Sequence, residues 1–412
     1  MRWLYTLILW LLLPWIVLRL FWRARKQPEY LRHVGERFGF YAGAPQRPLI
    51  WLHAVSVGET RAALPLVKAL REKYPQHRIL LTHMTPTGRD TGEQLFGADV
   101  LRCYLPYDFP FALRRFLRHY RPAAGVLMET ELWFNLIHEC RRSQVPLYLV
   151  NARLSEKSAA GYARFASLTA DALNELAGIA AQSEDDRERL LGLGARQVEV
   201  MGNLKFDITP PPQQFALGEK LRASFGTRPV LLAASTREGE EALLLDALGA
   251  RELGDTLLVL VPRHPQRFDE VAQLLGRRGV ACQRRSEGRP IDASTRVVLG
   301  DSMGELFAYY AACDVAIVGG SLLSYGGQNL IEACAVGKPV LLGPHTYNFA
   351  EAVRLALAAG AARQCGDVVA VLDAAAELLR DDGKRREMGK AALAFSQAHR
   401  GATETALRLV RF

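Results

Sequence analysis

The sequence predicts an α/β protein with two Rossmann-like domains that face a cleft, preceded by an apolar N-terminal helix. Its 412 residues exceed the roughly 100–200 of one typical domain, so two domains are expected. In both halves, apolar runs of strand length alternate with helical stretches, which is typical of βαβ units and parallel sheets. A proline cluster at residues 210–212 interrupts this alternation. We therefore expect a linker near the middle of the chain.

Composition and charge exclude several classes of protein. Hydrophobic residues make up 49% and charged residues 23%, which indicates a globular chain rather than a disordered or collagenous one. The six cysteines form no C-x-x-C pair, which argues against a structural zinc site and favours a reduced, intracellular protein. Of the net charge of +9, the first 26 residues contribute five cations and no acid. The rest is only mildly basic, which argues against nucleic-acid binding.

The N-terminal segment has the features of a membrane anchor. Residues 3–18 carry no charge, and tryptophans are spread along and beyond this run. The cations that follow predict that the body of the protein lies on the cytoplasmic side of the membrane. A cleaved signal peptide fits less well, because no small-residue A-x-A site follows the apolar run. We expect an uncleaved anchor over residues 1–26, either spanning the bilayer or lying in its interface.

The predicted elements of the first domain, residues 27–207, follow from short apolar runs and the amphipathic stretches between them. Helices are expected at Thr60–Glu72, Phe111–Tyr120 and Glu184–Leu193. The runs that predict strands are Leu49–Val57, Ile79–Met84, Ala124–Met128, Val145–Val150 and Val198–Met201.

The same pattern resumes after the predicted proline-rich linker, residues 208–214. The second domain is predicted over residues 215–412, with its last helix free to pack back on the first domain. Its helices are expected at Asp367–Leu379 and Arg385–Arg411. Its strands are predicted at Val230–Ala234, Leu257–Val261, Val297–Leu299, Val315–Val318 and Val340–Leu342.

Polar residues after the strands of the first domain are candidates for chemistry, because ligands bind at the carboxyl ends of parallel strands. Glu59 lies at a helix start, where it is either a general base for an acceptor hydroxyl or a plain helix-start carboxylate. Glu131 belongs to a pair of carboxylates that either orient a substrate or cap the next helix. Arg153 follows the next strand and is a candidate ligand for an anion.

In the second domain, the strongest local signal is a glycine-containing loop between a predicted strand and a predicted helix. It runs from Gly319-Gly320-Ser321 to Gly326-Gly327-Gln328-Asn329. Glycines let the backbone approach a ligand, and free N–H groups at a helix start bind phosphate. Glu332 is expected one turn into that helix, where it is able to accept hydrogen bonds from ribose. Arg263, after another strand, is either a phosphate or carboxylate ligand or an ordinary surface arginine.

Several common kinds of site have no support in the sequence. The nine histidines show no metal-ligand spacing. No G-x-G-x-x-G and no P-loop occurs, which argues against NAD and ATPase chemistry, and no G-x-S-x-G suggests a serine hydrolase. We therefore expect neither a metal nor a cofactor.

These loops together resemble the Kdo transferases, the 3-deoxy-D-manno-octulosonic acid transferases of lipopolysaccharide assembly. The similar stretches keep the same order through nearly the whole chain, and no single motif carries the likeness. They are HAVSVGE (53–59), METELW (128–133), NARLSEKS (151–158), GNLKFD (202–207), PRHP (262–265), GGS (319–321), GGQNLIEA (326–333) and HTYNF (345–349).

The resemblance implies a GT-B fold and an inverting glycosyl transfer without a metal. The donor would be CMP-Kdo, and the acceptor a lipid A precursor (lipid IVA) bound by the first domain. Glu59 would be the catalytic base, with Glu131 and Arg153 shaping the reaction site. The residues implied in binding the CMP-sugar are Lys205, Arg263, Ser321, Gly326, Gly327, Gln328, Asn329 and Glu332.

One position departs from the family pattern. Gln328 stands where the family usually has histidine in GGHN, and glutamine hydrogen-bonds but never becomes cationic. Two other functions remain open: a membrane-associated GT-B transferase that uses a UDP-sugar, and a sugar-nucleotide-binding membrane protein without catalysis. Competition between CMP and UDP separates the first from a Kdo transferase, and the absence of transfer would indicate the second.

Overall fold

The computed structural model describes residues 1–43, 48–249 and 254–412, which form two compact units. Unit 1 comprises Met1–Asp207 together with Arg400–Phe412, and unit 2 comprises Ile208–His399. The chain therefore leaves unit 1 once and returns to it for its last thirteen residues.

Unit 1 begins with a 25-residue helix, α1, whose length and apolar composition are sufficient for a membrane anchor. Its strands are β1 (Leu49–His53), β2 (Arg78–His83), β3 (Leu101–Tyr104), β4 (Ala124–Met128), β5 (Leu147–Ala152), β6 (Gly178–Ala181) and β7 (Glu199–Val200). Its helices up to residue 207 are α1 (Arg2–Lys26), α2 (Val57–Ala62), α3 (Leu64–Lys73), α4 (Pro86–Phe96), α5 (Pro110–Tyr120), α6 (Phe134–Arg142), α7 (Glu156–Ala163), α8 (Ala166–Glu175) and α9 (Glu184–Gly192).

The seven strands of unit 1 form one parallel sheet in the order β3-β2-β1-β4-β5-β6-β7. Helices cover both faces, so β1, β4 and β5 are buried along their whole length. The strand order reverses between β1 and β4, and this switch point is where ligands bind in doubly wound sheets.

Unit 2 repeats this architecture. Its strands are β8 (Val230–Thr236), β9 (Leu257–Pro262), β10 (Cys282–Arg284), β11 (Val297–Leu299), β12 (Val315–Val318), β13 (Val340–Leu342) and β14 (Ala362–Gln364). Its helices are α10 (Pro212–Phe225), α11 (Glu240–Gly249), α12 (Phe268–Arg277), α13 (Leu306–Ala312), α14 (Ile331–Ala335), α15 (Ala350–Ala358), α16 (Val368–Arg380) and α17 (Asp382–Ala398). A last helix, α18 (Ala402–Leu409), belongs to unit 1.

The sheet of unit 2 is also parallel, in the order β10-β11-β9-β8-β12-β13-β14. Its switch point lies between β8 and β12. The two Rossmann-like sheets confirm the predicted fold class.

Helix caps explain several element boundaries. The Ser183 hydroxyl accepts from the backbone N–H of Asp186 at 3.2 Å, and the Asp367 carboxylate accepts from that of Ala370 at 2.8 Å. Thr85 caps α4 in the same way, and Pro86 occupies the first helical position.

The structure corrects several predicted boundaries. The strand predicted at Leu49–Val57 ends at His53, and Val57 already belongs to α2. Pro212 is the first residue of α10, so residues 212–214 of the predicted linker are helical. Proline tolerates this position because the first helical N–H has no partner within the helix. The helix predicted at Thr60–Glu72 is two helices that meet at Ala63, where Pro65 follows. The helix predicted at Arg385–Arg411 is divided at Gly401, which has a φ of 111°.

Candidate active site

Glu59 lies in the loop and helix that follow β1, next to the switch point of unit 1. Ser56 caps α2, and its hydroxyl donates to Glu59 Oε1 at 2.8 Å. The backbone N–H of Val55 donates to Glu59 Oε2 at 2.7 Å. Both carboxylate oxygens are therefore held, and the side chain is only 8% exposed.

The surroundings of Glu59 favour its protonated form. Burial raises the pKa of Glu59 to about 7, although the hydrogen bonds from Val55 and Ser56 oppose the shift. The charges of Glu129 and Glu131 raise it further, which places all three carboxylates in one neighbourhood. A carboxylate with a pKa near 7 both exists as a base at neutral pH and binds a proton readily.

The second carboxylate group follows β4, on the other side of the switch point. Glu129 has a φ of 56°, a left-handed conformation that turns the chain directly after the strand. The indole N–H of Trp133 donates to Glu131 Oε2 at 2.5 Å, which fixes this half-buried carboxylate. Burial raises the pKa of Glu131 as well, with the Glu129 charge acting in the same direction.

Beneath these loops lies a buried histidine network that sequence reasoning missed. Thr82 Oγ1 accepts from Trp51 Nε1 at 2.7 Å and lies 2.9 Å from His53 Nδ1. His83 Nδ1 lies 2.9 Å from the carbonyl oxygen of Ala54. Burial lowers the pKa of His53 to about 3 and that of His83 to about 4, so both rings are neutral. The two histidines lie beneath the loop that carries Glu59, and His83 contacts the carbonyl oxygen of Ala54 in that loop. Their only signal in the sequence is that each is a polar residue at the end of an apolar strand, β1 for His53 and β2 for His83.

The end of β5 positions the region that contains Arg153 and Lys205. Asn151 is buried with a φ of 54°, and its Oδ1 accepts from the backbone N–H of Leu204 at 3.0 Å. This bond fixes the turn in which Asn203 Oδ1 accepts from Lys205 N at 3.0 Å. Arg153 itself is exposed, and its carbonyl oxygen accepts from the Thr130 hydroxyl. The predicted residues Glu131, Arg153 and Lys205 thus belong to adjoining loops.

In unit 2, the glycine loop follows β12 at the switch point. A Cβ on Gly319 would lie 2.6 Å from the carbonyl oxygen of Ser235, so only glycine fits against the end of β8. The loop closes on itself, because Gly327 N donates to the Gly320 carbonyl at 2.6 Å and Gln328 N to that of Gly319 at 3.0 Å.

Glu240 occupies the space beneath this loop and was not predicted as a site residue. Its carboxylate is fully buried and accepts from the backbone N–H groups of Gly320 at 2.7 Å, Leu322 at 2.9 Å and Leu323 at 3.4 Å. The N–H of Arg237 donates to it as well, at 2.8 Å. These amides therefore bind an internal carboxylate and are separate from the helix-start N–H groups that the sequence offers for phosphate.

The Ser321 side chain is buried among backbone groups, whereas a side chain that binds a ligand was expected to be accessible. Its hydroxyl is buried, donates to the Val318 carbonyl at 2.5 Å and accepts from Gly343 N at 2.9 Å. It connects the loops after β12 and β13. Gly326 and Gly327 are buried with φ values of 85° and 81°, and a Cβ on Gly326 would lie 2.5 Å from Asn348.

The remaining residues of this loop precede a helix that begins later than expected. α14 begins at Ile331, so Glu332 is its second residue rather than one turn inside it. Asn329 Nδ2 donates to Glu332 Oε1 at 3.1 Å, and both side chains are half-buried, as is Gln328. The side-chain amides of Gln328 and Asn329 and the carboxylate of Glu332 thus lie close together in sequence at the start of α14.

Arg263 follows β9, next to the end of β8. Its backbone N–H donates to the Thr236 carbonyl at 3.0 Å, and its side chain is half-buried. The nearby Arg267 pairs with buried Glu241 at 2.8 Å, while the Thr236 hydroxyl donates to Glu241 at 2.6 Å. Arg263 is therefore bonded through its backbone to Thr236, which belongs to a hydrogen-bonded network with Glu241 and Arg267.

Across residues 1–43, 48–249 and 254–412, no three His, Cys, Asp or Glu side chains gather in a way that could hold a metal ion.

Two doubly wound units with polar loops at their switch points define a GT-B protein, the fold class of many sugar-nucleotide enzymes. Solved structures share this fold. A glycosyltransferase from Rickettsia africae is 14% identical with a TM-score of 0.57, over 89% of this chain and 98% of that one. A UDP-GlcNAc 2-epimerase from Neisseria meningitidis is 16% identical with a TM-score of 0.58, over 88% and 99%.

Sequence relatives narrow this class to one family of transferases. The family described as 3-deoxy-D-manno-octulosonic-acid transferase matches residues 32–208, and glycosyl transferases group 1 matches residues 280–395. The 3-deoxy-D-manno-octulosonic acid transferase of Bordetella pertussis is 46% identical over 98% of both chains, and that of Haemophilus influenzae is 37% identical over 100% of this chain and 98% of its own. The chain belongs to the 3-deoxy-D-manno-octulosonic acid (Kdo) transferases and is a glycosyltransferase, which confirms the family resemblance.

Proposed function

We propose that this Kdo transferase moves Kdo from CMP-Kdo to a lipid A precursor, lipid IVA, at the cytoplasmic face of the inner membrane. The transfer inverts the anomeric centre and uses no metal. The observation that carries this proposal is the Glu59 carboxylate, held by Val55 and Ser56 beside the switch point of unit 1, with a pKa raised by burial to about 7.

Glu59 acts as the general base. Its carboxylate takes the proton of the acceptor hydroxyl while that oxygen forms a bond to the anomeric carbon of Kdo. The bond from the same carbon to the phosphate oxygen breaks, and CMP leaves with the electron pair. Attack from the face opposite the leaving group accounts for inversion. Glu131, held by Trp133, and Arg153 orient the acceptor sugar.

The donor is bound by residues of the predicted set. In unit 2, Arg263 supplies positive charge for the phosphate and for the carboxylate of Kdo. Lys205, in unit 1, is proposed as a second cation for an anionic group of the substrates. Asn329 and Glu332, already joined at 3.1 Å, suit a ribose that needs both donors and acceptors. Gly326 and Gly327 let the backbone approach the ligand, and Gln328 offers a neutral amide. Ser321 acts from below by holding two loops together.

An acceptor mass spectrum tests the proposal. Purified protein in detergent is incubated with lipid IVA, CMP-Kdo made in situ, and EDTA. Mass added in whole Kdo units is expected, and Glu59→Gln should slow its appearance by about 10²–10⁴-fold while CMP still binds. The matched control is Glu139→Gln, because Glu139 is also a buried carboxylate of unit 1 but pairs with Arg114 on α5. Loss of transfer in both variants, or in neither, would contradict the assignment of Glu59 as the general base.

A further inference from the structure

Helix α1 does not project from unit 1 but lies along its surface. The side chains that are buried or half-buried recur every three or four residues, which is the spacing of one face of a helix. We call this face the packed stripe. Its members are Arg2, Tyr5, Thr6, Leu9, Leu13, Ile16, Val17, Leu20 and Ala24.

The N-terminal part of the packed stripe is fastened by hydrogen bonds. Tyr5 Oη donates to Asp108 Oδ2 at 2.8 Å, and Thr6 Oγ1 donates to Asn135 Oδ1 at 2.9 Å. Asp108 is 6% exposed and also accepts from the backbone N–H groups of Asn135 at 3.1 Å and Leu136 at 2.8 Å. Helix α1 is thus hydrogen-bonded to Asp108, the buried carboxylate that also accepts from the first turn of α6.

The C-terminal part of the helix is fastened by packing. Leu20 is 5% and Ala24 is 8% exposed, and the Arg23 guanidinium lies 5.5 Å from the centre of the Tyr30 ring. From Tyr5 to Ala24, a helix rises about 29 Å at 1.5 Å per residue. The shielded positions of the packed stripe therefore extend over a length close to the full thickness of a bilayer core.

The opposite face of α1 is apolar and exposed. We call it the exposed arc; it consists of Trp3, Leu4, Leu7, Ile8, Leu11, Leu12, Trp15, Leu18, Phe21 and Trp22. Leu11 is 73% and Leu18 is 67% exposed. Arg19, Arg23 and Arg25 follow at the C-terminal end, and no acidic residue occurs in the helix. Apolar and aromatic side chains beside arginines suit the boundary between the headgroups and acyl chains of anionic lipids.

We infer that α1 lies in the plane of the membrane, with its exposed arc in an anionic phospholipid leaflet and its packed stripe on unit 1, and does not span the bilayer. A spanning helix would take the Asp108–Asn135 site into hydrocarbon with it, or break the hydrogen bonds of Tyr5 and Thr6. This inference rests on the membrane location in the proposed function and specifies how the protein is held there.

Labelling from one side of the membrane distinguishes the two orientations. Full-length Arg2→Cys and, as matched control, Arg25→Cys are expressed in a Gram-negative host, and intact spheroplasts receive a membrane-impermeant maleimide. An in-plane helix leaves both cysteines unlabelled until lysis, after which both react. A spanning helix exposes only residue 2 to the outside, so external labelling of Arg2→Cys alone would overturn the inference. The native cysteines give little background, since five are buried and Cys282 is half-buried.

Vesicle binding tests the exposed arc itself. With phosphatidylglycerol-containing vesicles, Leu11→Ser/Trp15→Ser should bind at least tenfold less than the parent chain and still bind CMP. The matched control is Leu393→Ser on α17 of unit 2, which is 38% exposed and should bind vesicles like the parent. Parent-like binding by the double variant, or equal binding to phosphatidylcholine vesicles without anionic lipid, would contradict the inference. Kdo transfer in detergent is measured separately, so failure here is distinguishable from failure of the proposed reaction.

Discussion

At the scale of single residues, the environment of Glu59 combines opposing effects. Its burial and the charges of Glu129 and Glu131 favour the protonated acid, whereas donors from Val55 and Ser56 favour the carboxylate. Burial is the largest of these effects, so the pKa rises to about 7. The sequence predicted Glu59 as a candidate base from its place after a strand. It could not predict this pKa, because burial depends on how the neighbouring loops fold.

The first prediction concerns the pH dependence of the reaction. Glu59 accepts a proton only when it is ionised, so kcat/KM should rise with pH through a midpoint near 7 and then level off. Glu59→Gln should lower the rate by about 10²–10⁴-fold, the usual contribution of a general base, and remove this limb of the profile. Initial rates from pH 5 to 9 at acceptor concentrations well below KM provide the measurement. A profile that is flat below pH 7 in the parent enzyme would contradict the assignment.

The second prediction uses Gln328, which stays neutral at all pH values. Gln328→His introduces a side chain with an ordinary pKa of about 6.5 beside the proposed donor site. The variant should bind CMP several-fold more tightly at pH 5.5 than at pH 7.5, because a cationic ring attracts phosphate. Calorimetric titration of both proteins at both pH values measures the difference, with the parent chain as control. An identical pH response in the two proteins would place residue 328 away from the phosphate.

At the scale of elements, buried apolar runs predicted most central strands, because strands covered on both faces are apolar along their whole length. The strand at Ala124–Met128 was predicted with the observed bounds. The overlooked strands lack that signal: Leu101–Tyr104, Cys282–Arg284 and Ala362–Gln364 each contain an arginine and lie at sheet edges. Gly178–Ala181 is short and made mostly of small residues.

The turns at the strand ends were beyond sequence reasoning. Glu129, Asn151 and Ser235 have φ values of 56°, 54° and 58°, which non-glycine residues rarely adopt. Strand pairing shifts register at Asn151 and Ser235, one residue before β5 and β8 end. Such conformations cost of order 1–3 kcal/mol each and persist only where surrounding contacts impose them. For Asn151, the amide contact with Leu204 is one such contact.

The third prediction concerns Glu240 and the glycine loop. In Glu240→Gln, one carboxylate oxygen becomes an N–H₂ donor that faces backbone donors. The variant should therefore lose about 1.5–3 kcal/mol of stabilisation from hydrogen bonds to a charged group. Amide hydrogen exchange at Gly320 and Leu322 should speed up, and the CMP dissociation constant should rise about tenfold.

Its control is Glu139→Gln, which removes a buried carboxylate of unit 1 and should leave exchange in the glycine loop unchanged. A Glu240→Gln protein that is destabilised but binds CMP as the parent does would show that Glu240 supports folding without positioning the donor site.

At the scale of the whole molecule, the return of the chain to unit 1 was left open by the sequence. Helical periodicity continues from Arg385 to Arg411, so one long helix was predicted there. Gly401 ends this pattern, and α18 packs on unit 1 with Ala402, Ala406 and Val410 fully buried. The signal that breaks the helix is one glycine, whereas the partner surface is formed by residues between 194 and 336 positions earlier.

The last prediction tests which contacts hold α18 on unit 1. The two carboxylate oxygens of Asp207 accept from the backbone N–H groups of Gly401, at 2.7 Å, and of Thr403, so Asp207 caps α18 from the point where the chain leaves unit 1. Asp207→Ala should cost about 0.5–2 kcal/mol, as the loss of a helix cap does. Local opening of α18 should then accelerate tryptic cleavage after Arg400 and Arg408, read from the intact mass over time. Asp207→Asn keeps one oxygen acceptor and should lie between Asp207→Ala and the parent. Equal cleavage rates in all three proteins would mean that burial of Ala402, Ala406 and Val410 alone fixes the helix, and that the cap contributes nothing measurable.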